Sequence, residues 1–170
     1  MKRVMIIGQP GSGKSTLARQ LGQHTGLPVV HIDMIHWKPG WIERNSAEKA
    51  ALCHEVHQRD SWIFEGGHTL TWPERLDRCD TLIWLDFPLW LRVLRVVRRT
   101  LRDYGRTRPD LPPDCPERFN AEFYRWIWIT RNSHREKMRN LLETAPPSKT
   151  RVKLRNRREV DAYLATIDDC

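Results

Sequence analysis

The sequence predicts an α/β domain: a parallel sheet covered by helices on both faces. Two observations predict it. Short apolar runs of strand length alternate along the chain with helical stretches, the pattern of strand–helix–strand units. The 170 residues also fit one core, with no internal repeat, low-complexity tract or linker to divide them.

The elements follow in order. Arg3 to Ile7 is an apolar run ending in glycine and reads as a buried strand. A glycine-rich turn leads into a helix from about Lys14 to His24, closed by Gly26 and Pro28. Val29 to Ile32 reads as the second strand, and a loop with Trp37, Pro39, Gly40 and Trp41 follows. Ser46 is placed to cap a helix running to about His57. Ser61 to Glu65 forms the third strand, then come Gly66, Gly67 and a short helix from Pro73 to Arg78. Thr81 to Asp86 is a strongly apolar fourth strand, and Pro88 starts a helix through about Leu101. Residues 103–118, with Gly105, Pro109, Pro112, Pro113 and Pro116, form an irregular excursion that reads as a mobile lid. One long helix is expected over Phe119 to Leu142, a fifth strand over Arg151 to Leu154, and a last helix over Arg158 to Thr166.

Composition narrows the function classes. Charged residues make up 29% and the hydrophobic set 39%, which excludes intrinsic disorder. The formal charge of +8 is concentrated: 13 of the 29 basic residues lie in 92–108 and 149–158. Such clusters suit a polyanion, either a nucleotide or a nucleic acid backbone. Eight tryptophans leave aromatic surface for a pocket beyond what a core needs. Cys53, Cys79, Cys115 and Cys170 show neither a C-x-x-C pair nor metal-ligand spacing, so reduced thiols are expected. No window reaches membrane-spanning length and the N-terminal apolar run is too short for a signal peptide, so a cytoplasmic protein is expected.

The chemistry lies in Gly8-Gln9-Pro10-Gly11-Ser12-Gly13-Lys14-Ser15, which fits G-x-x-x-x-G-K-[ST] at every fixed position, between a strand and a helix. Gly11 and Gly13 let the backbone turn several N–H groups into one anion nest, and the helix adds its positive end. Lys14 is expected to reach the β- and γ-phosphates, the Ser15 hydroxyl to ligate Mg²⁺, and Thr16 to help hold the α-phosphate. The motif defines a three-layer P-loop NTPase fold with ATP and Mg²⁺ as its ligands. No N-K-x-D motif for guanine appears, and the chain is short for motor or AAA-type ATPases.

More of the chain resembles the adenylate-kinase-like P-loop kinases, and within them the topology-modulation (FlaR-type) branch. The segments carrying this are GQPGSGKST (8–16), HIDMIHWKPGW (31–41), WIFEGG (62–67), LDFPLWLRVLRVVRRT (85–100), RTRPD (106–110), CPE (115–117) and KLRNRREVDAYL (153–164). The resemblance implies a sheet order of 2-3-1-4-5, a lid over the phosphates, and ATP-dependent transfer to a small molecule, a nucleoside, nucleotide or similar metabolite. It implies that Arg95 and Arg99, four apart on one helix face, contact the nucleotide base and the transferring phosphate. Arg106 or Arg108 is expected to reach the phosphates from the lid.

Asp33 is placed to accept a proton from, or bind, the acceptor hydroxyl. Glu65 stands where related kinases usually have Asp and is assigned to Mg²⁺, with Asp86 as the competing carboxylate. Gly66 and Gly67 allow close approach of the acceptor, and Arg75 is a candidate for its phosphate. Trp37 and Trp41 read equally as core or as an aromatic wall. Arg155, after strand five, is placed to stack on adenine. His31, His36 and Cys115 are read as not binding metal. Two other classes stay open: a DNA-associated regulator using the basic clusters, and an ATPase without an acceptor.

Overall fold

The computed structural model describes residues 1–168; Cys170 lies outside them. The elements are β1 (Arg3–Gly8), α1 (Lys14–Thr25), β2 (Val29–His31), α2 (Ile32–His36), β3 (Trp37–Lys38), β4 (Ile42–Glu43), α3 (Ser46–His57), β5 (Trp62–Glu65), α4 (Trp72–Arg78), β6 (Thr81–Leu85), α5 (Leu89–Arg102), α6 (Ala121–Ile129), α7 (Arg131–Thr144), β7 (Thr150–Leu154) and α8 (Arg157–Asp168).

Five strands make one parallel sheet in the order β2-β5-β1-β6-β7. Counted within that sheet alone, the order is 2-3-1-4-5; the whole-chain numbers differ because β3 and β4 pair separately as a small antiparallel hairpin. Strand side chains alternate between two cores. Met5, Ile7, Trp62, Phe64, Leu82 and Trp84 meet residues of α2, α3, α4 and α7 on one face. Val4, Ile6, Ile63, Ile83 and Leu85 meet α1 and α8 on the other. Trp62 and Trp84 are fully buried, so truncating either to Ala costs about 3–5 kcal/mol.

Three expectations are corrected. The loop after β2 holds α2 and the β3–β4 hairpin. Gly40 (φ 77°) and Trp41 (φ 60°) make its turn, and the second strand ends at His31, so that Ile32 and Asp33 lie in the first turn of α2. The cap of α3 is Asn45, whose side chain accepts from the Glu48 N–H at 2.9 Å; Ser46 is already helical. The long helix is two, α6 and α7, parted at Thr130 (φ −88°, ψ 1°). The Thr130 hydroxyl donates to the Trp126 carbonyl at 2.7 Å, a back-bond that bends helices. Gln9 holds the break by donating to the carbonyls of Thr130 and Arg131 at 3.4 and 3.0 Å. Residues 103–118 form no regular element, as expected, and bury Leu111, Cys115 and Glu117.

Candidate active site

All five sheet strands run parallel, so their C-terminal ends gather at one edge, where a cleft of about 1440 Å³ opens. The phosphate-binding loop forms its floor. Gly11 (φ 76°) and Gly13 (φ 96°) adopt left-handed backbone. A Cβ at Gly11 would lie 2.3 Å from the Arg92 carbonyl oxygen, so only glycine fits under α5. At Gly8 a Cβ would stand 2.6 Å from Ser12 Oγ, and that hydroxyl is buried with no hydrogen-bond partner. An orphaned hydroxyl inside a glycine cradle at a helix N-terminus fits an anionic ligand such as a triphosphate. Lys14 Nζ donates to the Gln9 carbonyl at 3.4 Å. Burial holds the Lys14 pKa below its ordinary value, against the opposing pull of Glu65 and Asp33.

The carboxylate cluster follows from register. His31 on β2 pairs with Glu65 on β5, and Glu65 faces Ile6 on β1. Glu65 Oε1 therefore accepts from Ser15 Oγ at 2.9 Å and meets His31 Nδ1 at 2.8 Å. A hydroxyl and a carboxylate converging at the loop suit Mg²⁺, which takes few protein oxygens and completes its shell with phosphate and water. Asp86 does not line the cleft: Arg135 grips it at 2.7 and 2.9 Å, and Lys153 lies 3.1 Å away. Glu65 is thus the carboxylate at the loop. Asp33 also lines the cleft. Burial first, then the neighbouring Glu65, pushes its pKa up to about 6.

The arginines of α5 divide by role. Arg92 is buried and fastens the loop, donating to the carbonyls of Phe87 (3.1 Å) and Pro10 (3.3 Å). Arg95 lies over the Phe87 ring at 4.5 Å and donates to the Ser12 carbonyl at 3.4 Å. Arg99 reaches Glu117 at 3.3 Å. From the lid, Arg108 pairs with Asp110 at 2.7 Å and with Glu117 at 3.0 Å, and it is half-buried while Arg106 is exposed. Thr100 Oγ1 donates to the same Glu117 carboxylate at 3.0 Å. The lid is also bolted to the β3–β4 hairpin. The Trp41 indole N–H donates to the Pro116 carbonyl at 3.1 Å, and the Trp41 amide to Cys115 Sγ at 3.3 Å.

Two expected residues are elsewhere. Arg155 is exposed and outside the cleft lining, at the turn before α8, where its backbone N–H donates to Glu159 at 2.6 Å; Arg157, the first residue of α8, lines the cleft. Arg75 is fully buried, 3.8 Å over the Phe64 ring, donating to the Gly66 carbonyl and Thr71 Oγ1, so no acceptor phosphate reaches it. Burial brings its pKa down to about 10. Gly66 is needed for packing, since a Cβ there would stand 2.0 Å from Ile32 Cγ2. Trp37 and Trp41 pack edge to face at 5.3 Å and both line the cleft. Phe123 and Trp126, stacked at 6.0 Å, line it too. Sequence reasoning missed Gln9, Asp110 and Glu117 as site residues. Their one signal was a carboxylate or amide set beside the motifs that carry the arginines and glycines.

This fold and loop define the P-loop NTPases. A family model described as "ATPase family associated with various cellular activities (AAA)" matches residues 4–64, which run from β1 to β5. A shikimate kinase of Corynebacterium efficiens is 30% identical over 174 residues, covering 95% of this chain and 93% of that protein. A cytidylate kinase of Aeropyrum pernix is 29% identical over 109 residues, covering 56% of this chain and 63% of that relative, a little under two thirds of its length. Among solved structures, a shikimate kinase from Bacteroides thetaiotaomicron gives a TM-score of 0.62 at 15% identity, covering 99% of this chain and 97% of that one. A gluconokinase from Sinorhizobium meliloti gives 0.52 at 16%, covering 99% and 94%. The chain belongs to the family of P-loop kinases that includes the shikimate kinase of Corynebacterium efficiens.

Proposed function

We propose that the protein transfers the γ-phosphoryl group of ATP to an oxygen of a small-molecule acceptor, a nucleoside, nucleotide or similar metabolite. The observation that carries this reading is Asp33 lining the same cleft as Lys14, Ser15 and Glu65, under the lid arginines. A bare nucleotide switch has no use for a poised carboxylate on the acceptor side.

The loop amides and Ser12 hydroxyl hold the triphosphate, and Lys14 neutralises charge on its outer oxygens. Ser15 and Glu65 would hold Mg²⁺, which would supply charge neutralisation at the phosphates. Asp33 orients the acceptor hydroxyl and takes its proton as that oxygen bonds to phosphorus and the bond to the bridging oxygen of ADP breaks. Arg95, Arg99 and Arg108 stabilise the charge spread over the transferring group. Arg108, half-buried, is the lid arginine assigned to the phosphates; Arg106 also lines the cleft but is exposed. Trp37, Trp41, Phe123 and Trp126 supply aromatic faces that suit a flat acceptor, and Lys137 and Arg118 also line the cleft, suiting a negatively charged one.

The DNA-associated reading loses support from the basic clusters themselves. Arg92, Arg95, Arg99 and Arg108 turn inward, while Lys149 and Lys153 bind protein carbonyls and Asp86. The test is an acceptor panel with Mg·ATP, in which phosphorylated product is counted by mass. A product 80 Da heavier than one acceptor is expected, by the mass of the transferred group; free phosphate alone with every acceptor would establish the ATPase reading instead.

A further inference from the structure

Helix α5 is built inside out. At 100° per residue, Trp90, Leu94, Val97 and Leu101 fall within about 60° of one another, and Arg92, Arg95 and Arg99 fall on the opposite side. The arginine side faces the phosphate loop and the apolar side faces solvent: Trp90 is 68% exposed, Leu94 56% and Leu101 74%. Trp128 of α6, 58% exposed, closes a groove with Leu89, Trp90, Val93, Leu94 and Val97. The adjacent Ile129 is 60% exposed. Scattered apolar residues on a surface need no account, but a contiguous stripe along a 14-residue helix, extended by a second element, does.

We infer that this face is the interface of a homodimer, with α5 packed antiparallel against α5 of a second copy about a two-fold axis. Two features of the surface select that occupant. The first is self-complementarity. An axis through the helix between Leu94 and Val97 sets Leu101 of one copy at the level of Trp90 of the other, each about 8 Å along the helix from the axis. The most protruding side chain then meets the groove, and Leu94 meets Val97, as an isologous contact requires. The second is area. Two tryptophans and four aliphatic side chains exposed to this degree offer on the order of 700 Å² per copy. A stable pair needs about 800 Å² per partner, a size this stripe and its rim reach.

The rim carries Arg98 and the Arg102–Asp103 pair (2.8 Å), and Arg131 lies 4.3 Å over the Trp128 ring. Apposed Arg98 side chains repel across the axis, so salt strengthens this dimer. It would weaken adsorption of the same stripe to an anionic bilayer, and the two occupants are separable by the sign of that effect.

Sedimentation velocity at about 5–100 µM is the experiment, a range in which a pair with a micromolar or lower dissociation constant is populated. The wild-type chain is expected at about twice its 20.2 kDa mass, with dimer favoured at higher salt. Leu94→Glu is expected to raise the dimer dissociation constant at least 100-fold while leaving the circular dichroism spectrum unchanged. Leu101→Glu, at a position with little packing to lose, serves as the second variant and is expected to do the same. A wild-type monomer at 100 µM would overturn the proposal, as would a dimer indifferent to both substitutions. So would salt-sensitive co-sedimentation with phosphatidylserine vesicles by a chain that is monomeric without them. Kinase activity enters none of these readouts, so the outcome is independent of the acceptor.

Discussion

Glu117→Gln tests how the lid is held. The wild-type carboxylate is 7% exposed and faces Arg99 (26%), Arg108 (14%) and the Thr100 hydroxyl at 3.3, 3.0 and 3.0 Å. Removing one partner of a buried ion pair costs about 3–5 kcal/mol, and a hydrogen bond to a charged group contributes about 1.5–3 kcal/mol. Two observations lower that figure here. Arg99 is a quarter exposed, and Arg108 keeps Asp110 at 2.7 Å after the change. The amide oxygen of Gln also still accepts from Thr100. A loss of about 1–2 kcal/mol remains, which for a chain of this size lowers Tm by roughly 2–8 °C. The nucleotide-free protein is measured by thermal unfolding and then remeasured with Mg·ATP. A triphosphate supplies the negative charge that the Gln variant lacks, so its ATP-induced gain in Tm is expected to exceed the wild-type gain. With the tether gone the lid admits water, so product per ATP consumed falls. An unchanged nucleotide-free Tm, or a smaller ATP-induced gain in the variant, refutes the tether.

Three further outcomes are expected. Lys14→Ala abolishes turnover, and because burial already opposes its charge, the Tm without nucleotide is unchanged or higher; retained activity rejects the role. In the nucleotide-free protein Asp33 has its pKa raised from 3.8 to about 6. Its stabilising share is complete below the unfolded pKa and is lost as pH rises through about 6, by at most roughly 3 kcal/mol before solvent screening. Asp33→Asn should therefore be the more stable protein at pH 7 and not at pH 4, and parallel Tm profiles over that range would falsify the burial of this carboxylate. Trp41→Phe keeps the aromatic packing but removes the indole hydrogen bond to Pro116. It costs about 0.5–1.5 kcal/mol and speeds protease cleavage within 103–118, measured by limited proteolysis with mass mapping.

The parts of the structure that were legible in the sequence are those governed by local rules. A five-strand α/β order of apolar runs, a glycine motif that only a phosphate cradle needs, and Pro88 at a helix start each follow from a few adjacent residues. The errors came where distant residues decide. Nothing near Thr130 breaks the 119–142 pattern strongly; the break is held by Gln9, more than 100 positions away. Arg75 looked like a free cation in a short polar helix, yet Phe64 and the Gly66 carbonyl bury it. Arg155 and Arg157 are indistinguishable in a run of bases; only Arg157, where α8 begins, lines the cleft. Glu65 and Asp86 both end apolar strands and look alike in the sequence; what separates them, the pairing of Asp86 with Arg135 of α7, is a tertiary contact.

The lid and the acceptor wall are one mechanical unit, and this bears on specificity. Cys115 is fully buried between the Trp41 amide and the Lys38 carbonyl, at 3.3 and 3.6 Å, so the lid's far arm cannot lift without moving the β3–β4 hairpin. That hairpin also carries Trp37, and its turn carries Trp41, the two aromatic faces offered to an acceptor. An acceptor that packs against them therefore biases the position of Arg108 and Glu117, and through Glu117 the position of Arg99. In the proposed reaction, coupling of this kind needs no additional site: an acceptor would act on Arg99 and Arg108 through the turn at Gly40–Trp41. It also gives a physical reason for acceptor discrimination to appear in the rate of transfer rather than in binding alone. A molecule too small to press on both tryptophans would occupy the cleft without bringing the lid arginines to the transferring group.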